Sequence, residues 1–225
     1  RRKMLEELPS AIAGGSLDVF LQPKVDLGTG RPYGFEALVR WNRNGKFVTP
    51  VDFIEIAEEG GHIKALDLSM LDAATSCVAV WNATKGTEYS LSVNISALHL
   101  LDEHDTRDLI SAIGNIRLPL DLLTIEITET VQLADWRRVS HAISQLRETG
   151  CRISIDDFGT GYSSLAYLRT IPAHELKIDK SLVAEIETSA ESQFILDAVM
   201  DLARSLDMCV VVEGIERKEQ VDILR

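Results

Sequence analysis

The chain has 225 residues, with 35 acidic against 23 basic side chains and a formal net charge of −12. That length suits one large domain or two small ones, and the composition is that of a folded protein with a sizeable core. The charge argues against a general DNA, RNA or anionic-membrane surface, because a polyanion is repelled at long range. No apolar run approaches the roughly 20 residues that span a bilayer, and no signal peptide opens the sequence. Cys77, Cys151 and Cys209 are odd in number and lie in apolar runs, which reads as reduced core residues of a cytoplasmic protein.

Residues 1–16 read as a charged helical lead-in. Strand-like runs follow at 19–27 and 33–41, separated only by "GTGRP". That gap is too short for a crossover helix, so the pair is expected to be an antiparallel hairpin. Helical patterns come next at 51–59 and 64–82. A strand at 89–96, a helix near 103–113, a strand at 123–129 and a helix at 136–149 continue the alternation. In the last of these, Trp136, Val139, Ile143 and Leu146 make one apolar stripe, and Gly150 is a plausible stop. A strand at 152–156, a short helix near 163–169, a strand at 175–179, a helix at 191–206, a strand at 208–214 and a helix from 217 complete the order. Strands alternating with helices imply a parallel sheet. Seven strands are counted, and an eight-stranded barrel needs one more just beyond Arg225. A seven-stranded open sheet is the alternative.

Alternate residues of a strand point to opposite faces. Leu91, Val93 and Ile95 oppose Ser92 and Asn94. Leu123, Ile125 and Ile127 oppose Thr124, Glu126 and Thr128. Ile153 and Ile155 oppose Ser154 and Asp156, and Leu176 and Ile178 oppose Lys177. Glu36 shares a face with Leu38 and Arg40. Helices are expected to cover the apolar sets, which leaves the polar sets inside the barrel, at the strand ends where barrel active sites sit. The convergent set is Glu36, Asn94, Glu126, Asp156, Lys177 and Glu213.

The stretch "ISIDDFGTGYSS" (153–164) places two carboxylates side by side ahead of two glycines. Neighbouring anions repel, so such a pair usually holds a cation or traps a proton. Asp157 is out of phase with Asp156 and joins the set only if the strand has ended and the chain bends, which Gly159 and Gly161 permit. Oxygen ligands without histidine or cysteine suit Mg²⁺ or Mn²⁺. The surplus of carboxylates suggests two ions bridged by Asp156, the usual apparatus for attack of water on phosphorus, with metals about 3.5–4 Å apart. The plain alternative is that an acid at a strand end caps a helix. Six groups on one rim are hard to explain by caps alone, but for Asp157 and Glu129 singly that alternative stays open. Arg40, above Glu36, suits either a salt bridge or a phosphate contact. His62, His99, His104, His141 and His174 show no metal-ligand spacing and read as surface or core-edge residues. The pair "HD" at 104–105 reads as a loop or helix start.

"EALVRW" at 36–41 resembles the signature of the EAL-domain cyclic di-GMP phosphodiesterases. "QPK" (22–24), "VNIS" (93–96), "EITE" (126–129), "DDFGTGYSSL" (156–165), "LKIDKS" (176–181) and "EGIE" (213–216) follow in the family's order over nearly the whole chain. The resemblance implies a single domain over 1–225, a modified (β/α)₈ TIM-type barrel with an antiparallel first strand, cut before its last strand. It implies hydrolysis of cyclic di-GMP to linear pGpG with two Mg²⁺ or Mn²⁺ ions. Glu36, Asn94, Glu126, Asp156, Asp157 and Glu213 would be metal ligands. Lys177 would orient or help activate the attacking water. Glu129 would anchor the "DDFGTG" loop, which couples substrate, metal and dimerisation. Arg40 would hold a substrate phosphate, with Gln22, Leu38 and Asp179 nearby, and Glu216 would support the last strand end. A homodimer, and upstream sensor or diguanylate-cyclase-like domains in a longer, cytoplasmic or membrane-attached protein, are further implications. The family continues with a strand bearing a "QG" pair whose glutamine joins the site. The native protein is therefore expected to extend by at least one strand and helix.

Two other readings compete. A receptor barrel would bind cyclic di-GMP without cleaving it, but ligand positions would then be lost, and all those within the chain are present. An enolase-like barrel would abstract a proton with metal and lysine. The hairpin start and the "DDFGTGYSSL" series count against it.

Overall fold

The structure, a computed structural model, describes residues 1–128, 136–160 and 168–225, the side chains of Trp136 and Arg137 excepted. The expected hairpin forms: β1 (Leu17–Val25) pairs antiparallel with β2 (Pro32–Arg43), with Gln22 opposite Glu36. A short strand not foreseen, β3 (Lys46–Val48), folds back on β2 through Asn44 and Gly45, both at positive φ. The "NG" dipeptide is a strong hairpin signal and would have revealed it.

Five further strands, β4 (Ser90–Asn94), β5 (Leu123–Thr128), β6 (Arg152–Phe158), β7 (Glu175–Ile178) and β8 (Cys209–Val212), continue from β2 in parallel. The path runs β1-β2-β4-β5-β6-β7-β8, with β3 beside β2. It is curled. Laid flat, β1 and β7 would stand five strand spacings apart, about 24 Å. Instead Lys24 Nζ on β1 lies 2.7 Å from Glu175 Oε1 on β7. The result is a partial barrel of seven strands, as the sequence predicts for a TIM-type barrel cut short.

Helices α1 (Arg2–Gly14), α2 (Pro50–Glu59), α3 (Ile63–Lys85), α4 (Glu103–Gly114) and α5 (Trp136–Glu148) precede β6, and α6 (Lys180–Val183), α7 (Ala190–Ser205) and α8 (Lys218–Leu224) follow β7. Their starts obey local chemistry. Pro50 opens α2, where its missing N–H costs nothing. Asp102 caps α4 by accepting from the N–H groups of His104 and Asp105, so "HD" is a helix start. The apolar faces of the strands meet the helices: Leu91, Val93, Leu123, Ile125, Ile153 and Leu176 are buried against Leu71, Val78, Leu109, Val139, Ile143 and Leu146. A second cluster seats α1 and α2 on β2, with the Phe53 ring edge-on to Trp41 at 5.6 Å.

Two cysteine expectations are corrected. Cys151 is buried, but Cys77 and Cys209 are exposed. Cys77 sits on an exposed position of α3, and Cys209 opens the strand at the end of the path. The short helix expected near 163–169 falls largely outside the described residues. Among the described residues no helix is long and apolar enough to cross a membrane.

Gly34 tests the sheet register. A Cβ there would lie 2.1 Å from Ser90 Oγ and 2.8 Å from the Ser90 carbonyl oxygen. The hydroxyl can rotate away but the carbonyl is held in the ladder. Gly34→Ala is expected to destabilise by about 1–3 kcal/mol, read as a lower urea midpoint with an unchanged m-value.

Candidate functional site

The polar strand faces point into the curl, as the alternation requires. Ser92, Thr124, Glu126, Ser154, Asp156, Glu175 and Lys177 are all buried. Parallel pairing sets them in layers: Asn94 is level with Glu126, Glu126 with Ser154, and Thr128 with Asp156.

Lys177 is the hub. Its Nζ lies 3.1 Å from Glu36 Oε2, 2.8 Å from Glu126 Oε2, 3.0 Å from Asp156 Oδ1 and 2.8 Å from Glu213 Oε1. Asn94 Nδ2 donates to Glu36 Oε1 at 3.0 Å. The six residues of the convergent set are thus brought together. Burial pulls the Lys177 pKa down, but the four carboxylates outweigh it and hold the ammonium well above the ordinary lysine range. In this charged form Lys177 donates hydrogen bonds to Glu36 and Glu126. Glu126 shows the converse. Burial pushes its carboxyl up, the nearby Glu36 and Asp156 add to that, and Lys177 pulls it down. Burial likewise raises Glu213 and Asp157.

Asp157 joins the cluster by a route the sequence reading did not foresee. The strand does not end at Asp156. β6 runs on to Phe158, and between Ile155 and Phe158 it carries one more residue than the facing Leu176–Ile178 of β7. Asp157 itself takes the left-handed conformation, φ 57°. This is a β-bulge, which re-aims a side chain without breaking the strand, and aspartate tolerates the conformation better than most residues. The bend precedes the glycines. Gly159, at φ 106°, is needed for the next step, where a Cβ would meet Leu182 Cδ1 at 2.4 Å. Glu213 is set by a similar constraint: Gly214, φ 67°, passes so close to Lys180 that a Cβ would lie 2.3 Å from that residue's own.

Carboxylate oxygens of Glu36, Glu126 and Asp156 all lie within 4.8 Å of one another, and so do those of Asp156, Asp157 and Glu213. Asp156 belongs to both triads. Glu126 Oε1 is buried with no hydrogen-bond partner, 3.7 Å from Lys24 Nζ. Two overlapping carboxylate triads, with a buried carboxylate oxygen beside them left without a hydrogen bond, fit hard divalent cations, which take oxygen ligands. Among the described residues six carboxylates (Glu36, Glu126, Asp156, Asp157, Glu175 and Glu213) face two buried ammonium groups, Lys24 and Lys177, an excess that two divalent cations would neutralise.

The remaining candidates are placed as follows. Leu38 lines a cavity of about 590 Å³ that opens from the acidic cluster, through Glu36, Asn94, Asp156, Asp157 and Glu213, towards α2 and α3. Gln22 faces Glu36 across the hairpin. Arg40 makes no ion pair among the described residues; its Nη1 donates to the Val39 carbonyl, and its guanidinium lies 5.6 Å from the Phe20 ring centroid. Asp179 caps α6 by accepting from the Ser181 N–H, as the plain capping reading of an acid at a strand end has it. Glu129 and Gly161 lie outside the described residues. The sequence reading gave no role to Lys24 and Glu175, which form a second buried layer with Ser92. Lys24 is in phase with Gln22, and Glu175 with Lys177, so the same alternation would have found both.

A family model described as the EAL domain matches residues 5–225. The chain belongs to the EAL domain family. It is 36% identical to the oxygen sensor protein DosP of Escherichia coli, over 97% of this chain and 27% of that protein. It is 34% identical to the probable cyclic di-GMP phosphodiesterase PdeG of the same organism, over 97% of this chain and 43% of that protein. The chain thus spans about a quarter to under half the length of these relatives. A solved structure described as the PaMucR phosphodiesterase in complex with c-di-GMP superposes with a TM-score of 0.90 at 34% identity, covering 99% of this chain and 90% of that one. The barrel with its antiparallel first strand is therefore the EAL fold.

Proposed function

We propose that this EAL domain, spanning residues 1–225 as one unit, hydrolyses cyclic di-GMP to linear pGpG. The observation that carries the reading is Asp156, shared by two carboxylate triads with the Lys177 ammonium at their junction. Relatives named as cyclic di-GMP phosphodiesterases, and a neighbour solved with c-di-GMP, supply the substrate. In this reading Glu36, Asn94, Glu126, Asp156, Asp157 and Glu213 hold two Mg²⁺ or Mn²⁺ ions. Such ions, when bound, activate water and neutralise charge on the reacting phosphate.

The chain's own residues do the rest. Lys177 donates a hydrogen bond that fixes the attacking water. The water oxygen bonds to phosphorus as the P–O3′ bond breaks, and one of the water's two protons ends on O3′, which leaves as a hydroxyl. Arg40, free of any carboxylate partner among the described residues, holds a phosphate. Leu38 and the apolar cavity wall receive a base, with Gln22 and Asp179 at its margins, and Glu129 steadies the loop that follows β6. The protein works in the cytoplasm as a homodimer, attached to sensor or cyclase-like domains.

The test is incubation with cyclic di-GMP and Mg²⁺ or Mn²⁺, followed by chromatography. Formation of pGpG that stops on adding EDTA is expected. Tight binding without cleavage at any metal concentration would assign a receptor instead.

A further inference from the structure

The convergent set explains the strand ends but not a buried acid behind them. Asp67, on α3, is 5% exposed, and His99, in the turn after β4, is 1% exposed. His99 Nε2 lies 3.3 Å from Asp67 Oδ2, an ion-pair distance without hydrogen-bond alignment, and the same oxygen accepts the Ser96 N–H at 2.9 Å. Burying a carboxylate between helix and sheet is costly unless it is paired and hydrogen-bonded.

What the pair holds is the segment that carries Asn94. Ser96 Oγ donates to Glu58 Oε1 on α2 at 3.1 Å, and Thr106 on α4 donates to the His99 carbonyl at 2.9 Å. The Ile95 N–H donates to the Glu126 carbonyl at 3.0 Å. Three helices therefore grip the turn 96–99, and Asn94 stands two residues before it with its amide on Glu36. Asp67, Ser96 and Asn94 line the same cavity as the acidic cluster. We infer that Asp67 and His99 form a buried positioning pair that, through Ser96, sets the Asn94 amide against Glu36. The catalytic consequence rests on the phosphodiesterase reading. The positioning itself does not.

The two are tested separately. In metal-free protein the Asn94 side-chain amide, assigned by ¹⁵N–¹H spectroscopy, should be shifted and protected by its bond to Glu36. Asp67→Ala should move it to the position of free asparagines, and Asp67→Asn, whose amide oxygen still accepts from Ser96, should restore it. Mn²⁺ affinity by calorimetry should fall about 10- to 100-fold in Asp67→Ala, the range for lost outer-shell support. Asp67→Ala combined with Asn94→Ala should lose no more than Asn94→Ala alone, since the effect passes through Asn94. A folded Asp67→Ala protein with an unmoved Asn94 amide, or losses that add, overturns the inference. Should Asp67→Ala not fold, His99→Gln is read the same way: an unmoved amide overturns, a moved one supports. If the amide responds but wild type neither binds Mn²⁺ nor cleaves cyclic di-GMP, the positioning stands and the phosphodiesterase reading falls.

Discussion

Asp156→Asn is expected to lower cyclic di-GMP hydrolysis by about 10³-fold or more, the effect of removing several kcal/mol of transition-state stabilisation. Asp156 is the one residue common to both carboxylate triads, so its loss degrades both candidate ion sites together. The fold should survive. The asparagine carbonyl can still accept the Asp157 N–H, which now bonds to Asp156 Oδ1 at 2.9 Å and holds the bulge. In EDTA the variant should melt no lower than wild type, because one negative charge has left a cluster of like charges. Calorimetry should show fewer than two Mn²⁺ ions per chain. Near-normal turnover with two ions bound would remove the shared-ligand assignment.

How far such a site is legible in sequence depends on which constraint sets each residue. Period-two alternation is imposed by the strand backbone, so Glu36, Asn94, Glu126, Asp156 and Lys177 could be placed on one face before any coordinates. The antiparallel pairing of the first two strands is equally accessible, because "GTGRP" cannot hold a crossover. Asp157 was the limit. Strict alternation puts it on the wrong face, and only a bulge, set by pairing against β7, turns it inward. Sequence periodicity carries no record of an irregularity whose cause is the neighbouring strand. The Asp67–His99 contact is hidden for a related reason: it joins a helix to a turn 32 positions later, and nothing local marks either residue. Lys24 and Glu175 obey the same alternation one layer further down the curl, where Lys24 Nζ meets Glu175 Oε1.

Lys177→Met tests the hub itself, and metal is expected to restore its stability but not its turnover. Without metal, the ammonium is the nearest counter-charge to Glu126, whose own side chain is fully buried. Removing one partner of such a pair leaves an uncompensated buried charge, at a cost of about 3–5 kcal/mol. Lys24, 3.7 Å from the other oxygen of Glu126, compensates only in part. The metal-free variant should therefore melt well below wild type. Added Mn²⁺ should recover more stability in the variant than in wild type, because the ions take over the neutralisation. Turnover should not recover with it. An ammonium held charged by four carboxylates is placed to donate to a water or an oxyanion, and removing one such donor lowers kcat by about 10²–10³-fold. KM should change little, since nothing places Lys177 in the apolar part of the cavity. A variant whose KM rises while kcat holds would make the lysine a substrate-binding group. Equal stability with and without metal would show that the carboxylate cluster does not take up cations.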